Sequence, residues 1–448
     1  MNSNPVTREQ LASLFASGCK PKESWRVGTE HEKIGFCVDT LRPLPYEGER
    51  SIRSLLELLR LQAGEPILEG NNIIGLIRDH ASVTLEPGGQ VELSGAPLST
   101  IHETCMETGK HLRLLKEATD KLGIGFLGLG FQPKWKREDI PWMPKARYAL
   151  MREYMPKVGG QGLDMMLRTA TVQANLDFSS EADMVKKMRV SCALQPLVTA
   201  LCAASPFVDG KPSGLLSSRA AVWLDTDPAR TGIPESVFED DFGFEAYTEW
   251  ALDAPMYFVI REGGFVDCSG LSFRDFLDGN LASLPNERPT MADWELHVGT
   301  LFPDVRLKQF LEMRGADAGP QAWLCSLPAL WKGLLYDEQA LESAWQMVES
   351  WTHAEVIKMR SEVPMSGFAT PFRDVDVHRL CEQMVEIARA GLERIDARNS
   401  RGENESVFLA PMLQAVKHRK TQAEVWLDAY HGHWQQNVDR IFIEAMHP

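Results

Sequence analysis

The chain is short of positive charge. It carries 47 lysines and arginines against 62 aspartates and glutamates, a formal net charge of −15 at pH 7. It therefore lacks the basic footprint that nucleic-acid phosphates or anionic membrane surfaces demand. It lacks any unbroken apolar stretch of membrane-spanning length, and its opening residues, Met1-Asn2-Ser3-Asn4-Pro5, show no basic region followed by an apolar run. A cytoplasmic protein with neither nucleic-acid nor membrane partners is the expectation. The eight cysteines include no Cys-x-x-Cys pair. That excludes a zinc knuckle and a dithiol redox motif, and most of them are expected to be reduced and structural. No Walker A sequence occurs. Gly123-Ile124-Gly125-Phe126-Leu127-Gly128 has the letters of a dinucleotide fingerprint, but it follows a helix pattern, whereas that fingerprint follows a strand. A nucleotide, if used, must be held by metal and arginine instead of a glycine-rich loop. Nothing in the 448 residues reads as a linker. One unit is expected over 1–448, with a sheet-rich part at about 20–318 and a helical part at about 319–448.

What the chain does have is acid placed in strand patterns. In Val27-Gly28-Thr29-Glu30-His31-Glu32-Lys33-Ile34-Gly35-Phe36 an extended backbone puts Glu30 and Glu32 on one face. Neighbours two apart on a strand sit roughly 7 Å from each other, and like charges that close in a partly dry place push a pKa upward unless a cation lies between them. In Glu86-Pro87-Gly88-Gly89-Gln90-Val91-Glu92-Leu93-Ser94 the Pro-Gly-Gly triplet forces a turn, and two glutamates bracket it. Solvated acids at an edge strand and at a plain hairpin turn would give the same letters.

Leu167 to Phe178 alternates as a strand with Thr169, Thr171, Gln173, Asn175 and Asp177 on one face and Arg168 on the apolar one. Threonine and amide side chains suit a ligand-orienting cavity better than bulk water. Asp304 to Arg314 alternates again and puts Arg306, Lys308, Phe310, Glu312 and Arg314 together. Arg219, Trp223 and Arg230 fall in a glycine- and proline-rich stretch from Pro206 to Pro234, and Met256 to Ile260 reads as a strand ending in Arg261. Helical patterns fill 321–336, 338–360, 375–398 and 412–444, with no chemistry legible in them.

The extended segments, taken as antiparallel, share a face bearing Glu30, Glu32, Glu86, Glu92 and Glu312 with Arg306, Lys308 and Arg314. Carboxylates with few histidines or thiols select hard cations, magnesium or manganese ahead of zinc. Such ions bridge phosphate oxygens during phosphoryl transfer, while arginine meets the transferring group.

The segments Gly28 to Phe36, Glu86 to Ser94, Met166 to Phe178, Leu252 to Val259 and Leu311 to Asp317 resemble motifs of glutamate–cysteine ligase of the plant and proteobacterial type. The resemblance runs from near residue 20 to beyond residue 340, four or more motifs in order. It implies an α+β fold, a curved antiparallel sheet forming a funnel with helices outside, similar to the glutamine synthetase catalytic domain. It implies ligation of the γ-carboxylate of L-glutamate to the amine of L-cysteine with ATP, through a γ-glutamyl phosphate, as the first step of glutathione synthesis. By the same resemblance Glu30, Glu32, Glu86, Glu92 and Glu312 would ligate two or three magnesium ions, with manganese as the alternative. Glu32, Glu312 and Arg314 would stand at the reacting centre, and Arg306 and Lys308 at the nucleotide. Thr171, Gln173 and Asn175 would face substrate; Arg168 and Arg261 would meet substrate carboxylates, and Tyr257 would line the cysteine pocket. The expected state is a monomer or homodimer, without the leader of a plant precursor. Plant members also use disulfide switching, for which no cysteine pair is matched here. A related ligase with another amine acceptor, or a non-catalytic metal-binding protein, would carry the same glutamates.

Overall fold

The computed structural model describes residues 6–447, so residues 1–5, on which the reading of the amino terminus rests, lie outside the described residues. Nine strands build one sheet: β1 Val27–Cys37, β2 Glu65–Glu69, β3 Asn72–Arg78, β4 Ala81–Leu85, β5 Val91–Ser94, β6 Ile124–Leu127, β7 Thr171–Leu176, β8 Val305–Leu307 and β9 Leu311–Asp317. Their order is β8-β9-β7-β1-β5-β4-β3-β2, with β6 added to the second half of β1, and every pairing is antiparallel. This is the expected α+β class. Among the described residues no helix is long and apolar enough to cross a membrane.

The period-two alternation of β1 divides its side chains between two environments. His31 and Lys33 go to the back, in line with Leu93 of β5 and Val172 of β7. The helices Ile101–Leu122 and Gln321–Leu335 cover that face. The first of these is fixed at both ends. Thr100 and Glu103 form a capping box, and Gly123 closes the helix with a left-handed backbone, φ 66°. Residues 441–447 dock on the sheet as well: His447 N–H donates to the Phe126 carbonyl at 2.9 Å, and Phe442 stacks edge-on against Phe36 of β1.

Four expectations change. The stretch read as one strand from Leu167 begins as the end of a helix, Gly162–Arg168, so Arg168 is not a strand residue. Asp304 to Arg314 is a hairpin, with Arg306 and Glu312 as cross-strand partners; an even offset keeps them on one face either way. The helix expected over 338–360 breaks at Trp351 because Thr352 and Glu355 cap a new one. The helix expected over 412–444 stops at His418, and Thr421 with Glu424 caps a new one, Gln422–His431. As expected, most cysteines are free, six of the eight; Cys105 is disulfide-bonded to Cys325, tying the two back-face helices together.

Near that disulfide a buried ion pair also joins distant segments. Lys332 Nζ donates to Glu405 Oε1 at 2.9 Å, and the same oxygen accepts the Ile101 N–H, an orphan donor of the first helical turn, at 2.7 Å. Glu405 is wholly buried and Lys332 nearly so. Removing one partner strands the other charge. Lys332→Met is expected to lower the unfolding free energy from urea titration by about 3–5 kcal/mol, and adding Glu405→Leu to recover most of that loss.

Candidate active site

The front face of the sheet is a polar band, and strand register sets it. Across it run Arg306 opposite Glu312, Glu312 opposite Asn175, Asn175 opposite Gly28, Gln173 opposite Glu30, and Glu32 opposite Glu92. The register thus brings Glu30, Glu32, Glu92, Glu312, Gln173 and Asn175 to one surface. Glu86 joins them from the turn after β4. There the Glu86 N–H donates to the Gln90 carbonyl at 2.9 Å, Gly89 takes φ 82°, and Gly88 lies so close to the chain that a Cβ would stand 2.3 Å from the Leu167 carbonyl oxygen. Gln90 Nε2 donates to the Thr169 carbonyl at 2.8 Å and holds the turn down.

The carboxyls fall into two groups by environment. Burial, together with the neighbouring Glu312 and Glu92, pushes Glu30 up to about 7, despite the hydrogen bond it accepts from Asn175 Nδ2 at 2.9 Å. Burial, with Glu92 and Glu86 beside it, pushes Glu32 well above the ordinary carboxyl range, and burial beside Glu86 raises Glu92. Glu32 accepts one backbone N–H, from Thr171, at 3.0 Å. Glu312 is the opposite case. Burial alone would raise it, but Arg306, Lys308 and Arg314 overcome burial and hold it well below the usual range. Arg306 grips it with two bonds of 2.6 and 3.0 Å, Lys308 approaches to 3.3 Å and Arg314 to 3.2 Å.

Beside these groups lies a cavity of about 150 Å³ reached by Glu32, Glu86, Thr171 and Arg314. A bulge in β9 between Met313 and Ala316 turns Arg314, whose Nη1 donates to Gln173 Oε1 at 2.5 Å. Gly315 in the bulge meets Gln195 so closely that a Cβ would stand 2.2 Å from its Oε1. Three further polar residues of the wall were missed in the sequence: Arg147, Tyr148 and Thr300. Arg219 and Trp223, four apart on the helix Ser218–Trp223, had been noticed without a role and also line the cavity. Arg219 is 4% exposed, donates from Nη2 to the Arg314 carbonyl at 2.8 Å, and leaves Nε without a partner. Asp317 sets that helix in place by accepting the hydroxyls of Ser205 (2.6 Å) and Ser217 (2.8 Å). Lys145 Nζ and Tyr148 Oη both donate to the Leu85 carbonyl, at 2.6 and 2.7 Å, and so fix the backbone just ahead of Glu86.

Some expected site residues are elsewhere. Arg168 pairs with Asp164 (3.3 Å) and Asp209 (2.6 Å) over the ring of Phe131, away from the cavity, because it closes a helix where a strand was expected. Arg261 forks onto Asp293 at 2.8 and 3.2 Å and reaches Glu287 at 2.9 Å. Tyr257 packs behind the wall, its ring 3.8 Å from the Arg230 guanidinium, while its neighbour Phe258 lines the cavity. Arg306 is buried and held by protein partners, with the Gly299 and Leu301 carbonyls both accepting from its Nη1 at 2.9 and 2.8 Å. Lys308 remains half-buried beside it.

Among the described residues none of Glu30, Glu32, Glu86 and Glu92 has an ion pair of its own, so this is a donor set of the kind that could hold a hard cation. Among the described residues no three His, Cys, Asp or Glu side chains stand ready around one ion.

Comparison with known proteins adds to this geometry. The model of glutamate-cysteine ligase family 2 matches residues 26–444. The chloroplastic glutamate–cysteine ligase of Brassica juncea is 54% identical over 449 residues, covering 99% of this chain and 85% of the relative. That of Arabidopsis thaliana is 52% identical over 446 residues, covering 99% and 84%, and the B form of Oryza sativa subsp. japonica is 53% identical over 445 residues, covering 99% and 88%. These relatives are all named chloroplastic, which overturns the expectation of a cytoplasmic protein. In fold, the chain resembles a solved glutamate–cysteine ligase of Francisella tularensis in complex with AMP, with TM-score 0.56 at 12% identity, covering 94% of this chain and 88% of that one. With the family matched over nearly its whole length and relatives more than half identical, the chain belongs to glutamate-cysteine ligase family 2, the ATP-dependent ligases that join glutamate to cysteine in the first step of glutathione synthesis.

Proposed function

We propose that the front face of the sheet is where this ligase works, with Glu30, Glu32, Glu86 and Glu92 holding two or three divalent cations and Arg314 and Arg219 meeting the substrate. The observation that carries this reading is the register that gathers these carboxyls, Glu30, Glu32 and Glu92 among them raised by burial and neighbouring acids, beside two guanidinium groups at one cavity. Magnesium is the natural occupant and manganese the alternative; bound there, either would neutralise the charge on the ATP phosphates. Glu312 takes a different part, because its charge is already matched by three cations. It orients Arg314 toward the cavity, a positioning role, and Arg306 and Lys308 support it.

In the first half-reaction an oxygen of the glutamate γ-carboxylate attacks the terminal phosphorus of ATP, the bond to the bridging oxygen breaks, and ADP leaves. Arg314, held by Gln173 and Glu312, faces the charge that develops on the transferring group. In the second, the neutral cysteine amine attacks the γ-carbonyl carbon, the bond to the phosphate oxygen breaks, and phosphate departs with the electron pair and takes up the proton that the nitrogen gives up. Arg219, buried and with its Nε unpaired, is suited to a substrate carboxylate. The methionines Met151, Met165 and Met166 with Phe258 and Phe302 form the apolar side of the same cavity and limit water there.

With ATP, magnesium and glutamate present, phosphate release is expected to require cysteine and to yield γ-glutamylcysteine; release driven equally by other amines would instead assign a different acceptor. Glu92→Gln is expected to cost roughly 100-fold or more in kcat, while raising the melting temperature measured without divalent ion at neutral pH, since a repelling charge is gone. Arg219→Ala should raise KM for glutamate by about 30-fold, with a smaller effect on ATP.

The pH dependence has a definite sign. Glu30 holds its proton more tightly folded, at about 7, than unfolded. Its contribution to stability is full below the unfolded carboxyl value and lost as pH rises through about 7. Differential scanning calorimetry should therefore find a magnesium-induced rise in melting temperature that is small near pH 5 and large near pH 7.5, where the carboxylates are charged.

A further inference from the structure

On the back of the sheet, opposite the carboxylates, a second cleft opens between the helix Ile101–Leu122 and the β3–β4 hairpin. Its volume is about 230 Å³, near the small end of what takes a metabolite. The floor is apolar: Leu93 of β5 and Val83 of β4 are direct cross-strand partners, and Leu114 of the helix faces them. Glu107, Lys110 and His111 lie on the same helical face as Leu114. The Ala96 N–H donates to Glu107 Oε1 at 3.0 Å, and Lys110 stands exposed at the mouth. Arg78 forms the far rim; its Nη1 donates to the Gln62 carbonyl at 2.8 Å and its Nε stands 3.8 Å from Asp79, which lines the rim beside it. His111 is 7% exposed, and its Nε2 has no hydrogen-bond partner among the described residues.

We propose that this cleft is a second ligand site, for a small molecule with a carboxylate head on a short apolar body. The head meets Lys110 and Arg78, and the body lies on Leu93 and Val83 beside the ring of His111. The site is placed to be felt on the other face. Leu93 sits between Glu92 and Ser94 in β5, and His111 packs its ring 5.7 Å from that of His31, which lies between Glu30 and Glu32 in β1. An effect on turnover rests on the assignment of those glutamates given above; binding itself does not.

The test uses the full chain without substrates and hexanoate as the probe, with hexanol and hexylamine alongside. Saturation-transfer NMR is expected to find saturable hexanoate binding, stronger than that of either control, and hydrogen exchange to slow at 81–84 and 91–94. Lys110→Glu is expected to weaken binding roughly tenfold, and Lys116→Glu, at an exposed position further along the helix, less than about twofold. Absence of saturable binding up to about 10 mM, equal binding of hexylamine, or indifference to Lys110→Glu would overturn the proposal. None of these readouts depends on catalysis, so loss of ligase activity in a Glu92 variant and loss of hexanoate binding are separate results.

Discussion

Four carboxyl groups crowded on one face of a sheet are the arrangement that the rest of this molecule is built around. Their mutual repulsion and burial push Glu30, Glu32 and Glu92 toward the protonated form. The fold has cations close by, yet it directs them elsewhere. Arg306, Lys308 and Arg314 converge on Glu312, two strands away from β1. Fixed charge is thus separated within one sheet, with a saturated carboxylate on β9 and an unsaturated set on β1, β5 and the turn between β4 and β5. An unsaturated set of carboxyl oxygens is a poor resting state. The saturated one is a rigid mount for a guanidinium.

Much of this was legible in the letters, because it depends on local periodicity. Alternation in β1 put Glu30 and Glu32 together, the Pro-Gly-Gly triplet located the turn at Glu86, and Thr100 with Glu103 marked a helix start. Thr352 with Glu355 was an equally plain signal for the helix break that went unread. Other features have no local signature. Arg168 has the same neighbours in sequence whether it opens a strand or closes a helix, and only packing against Phe131 and Asp209 decides. The Cys105–Cys325 bond links positions 220 residues apart, and no spacing rule reaches that far.

Residues that prepare the site from outside it were the hardest to read. Lys145 and Tyr148 act on the Leu85 carbonyl, and Asp317 acts on Ser205 and Ser217; none of these partners is near in sequence. In an isolated sequence such residues look like ordinary surface or core positions. Arg219 and Trp223 did leave a trace, an arginine and a tryptophan one helical turn apart in a stretch otherwise rich in glycine and proline.

The central strand has a consequence for how such a chain comes into being. β1 is made within the first 37 residues, yet its neighbours β5, β6 and β7 are drawn from 91–94, 124–127 and 171–176, and β7 in turn waits for β9 at 311–317. On the ribosome Glu30 and Glu32 emerge long before the guanidiniums and hydroxyls that will surround them. Pairings of such sequence separation form slowly and expose unpaired strand edges meanwhile. A nascent chain stopped short of β9 therefore carries the acids of β1 without the guanidinium of Arg314 and the strand partners that surround them in the finished fold.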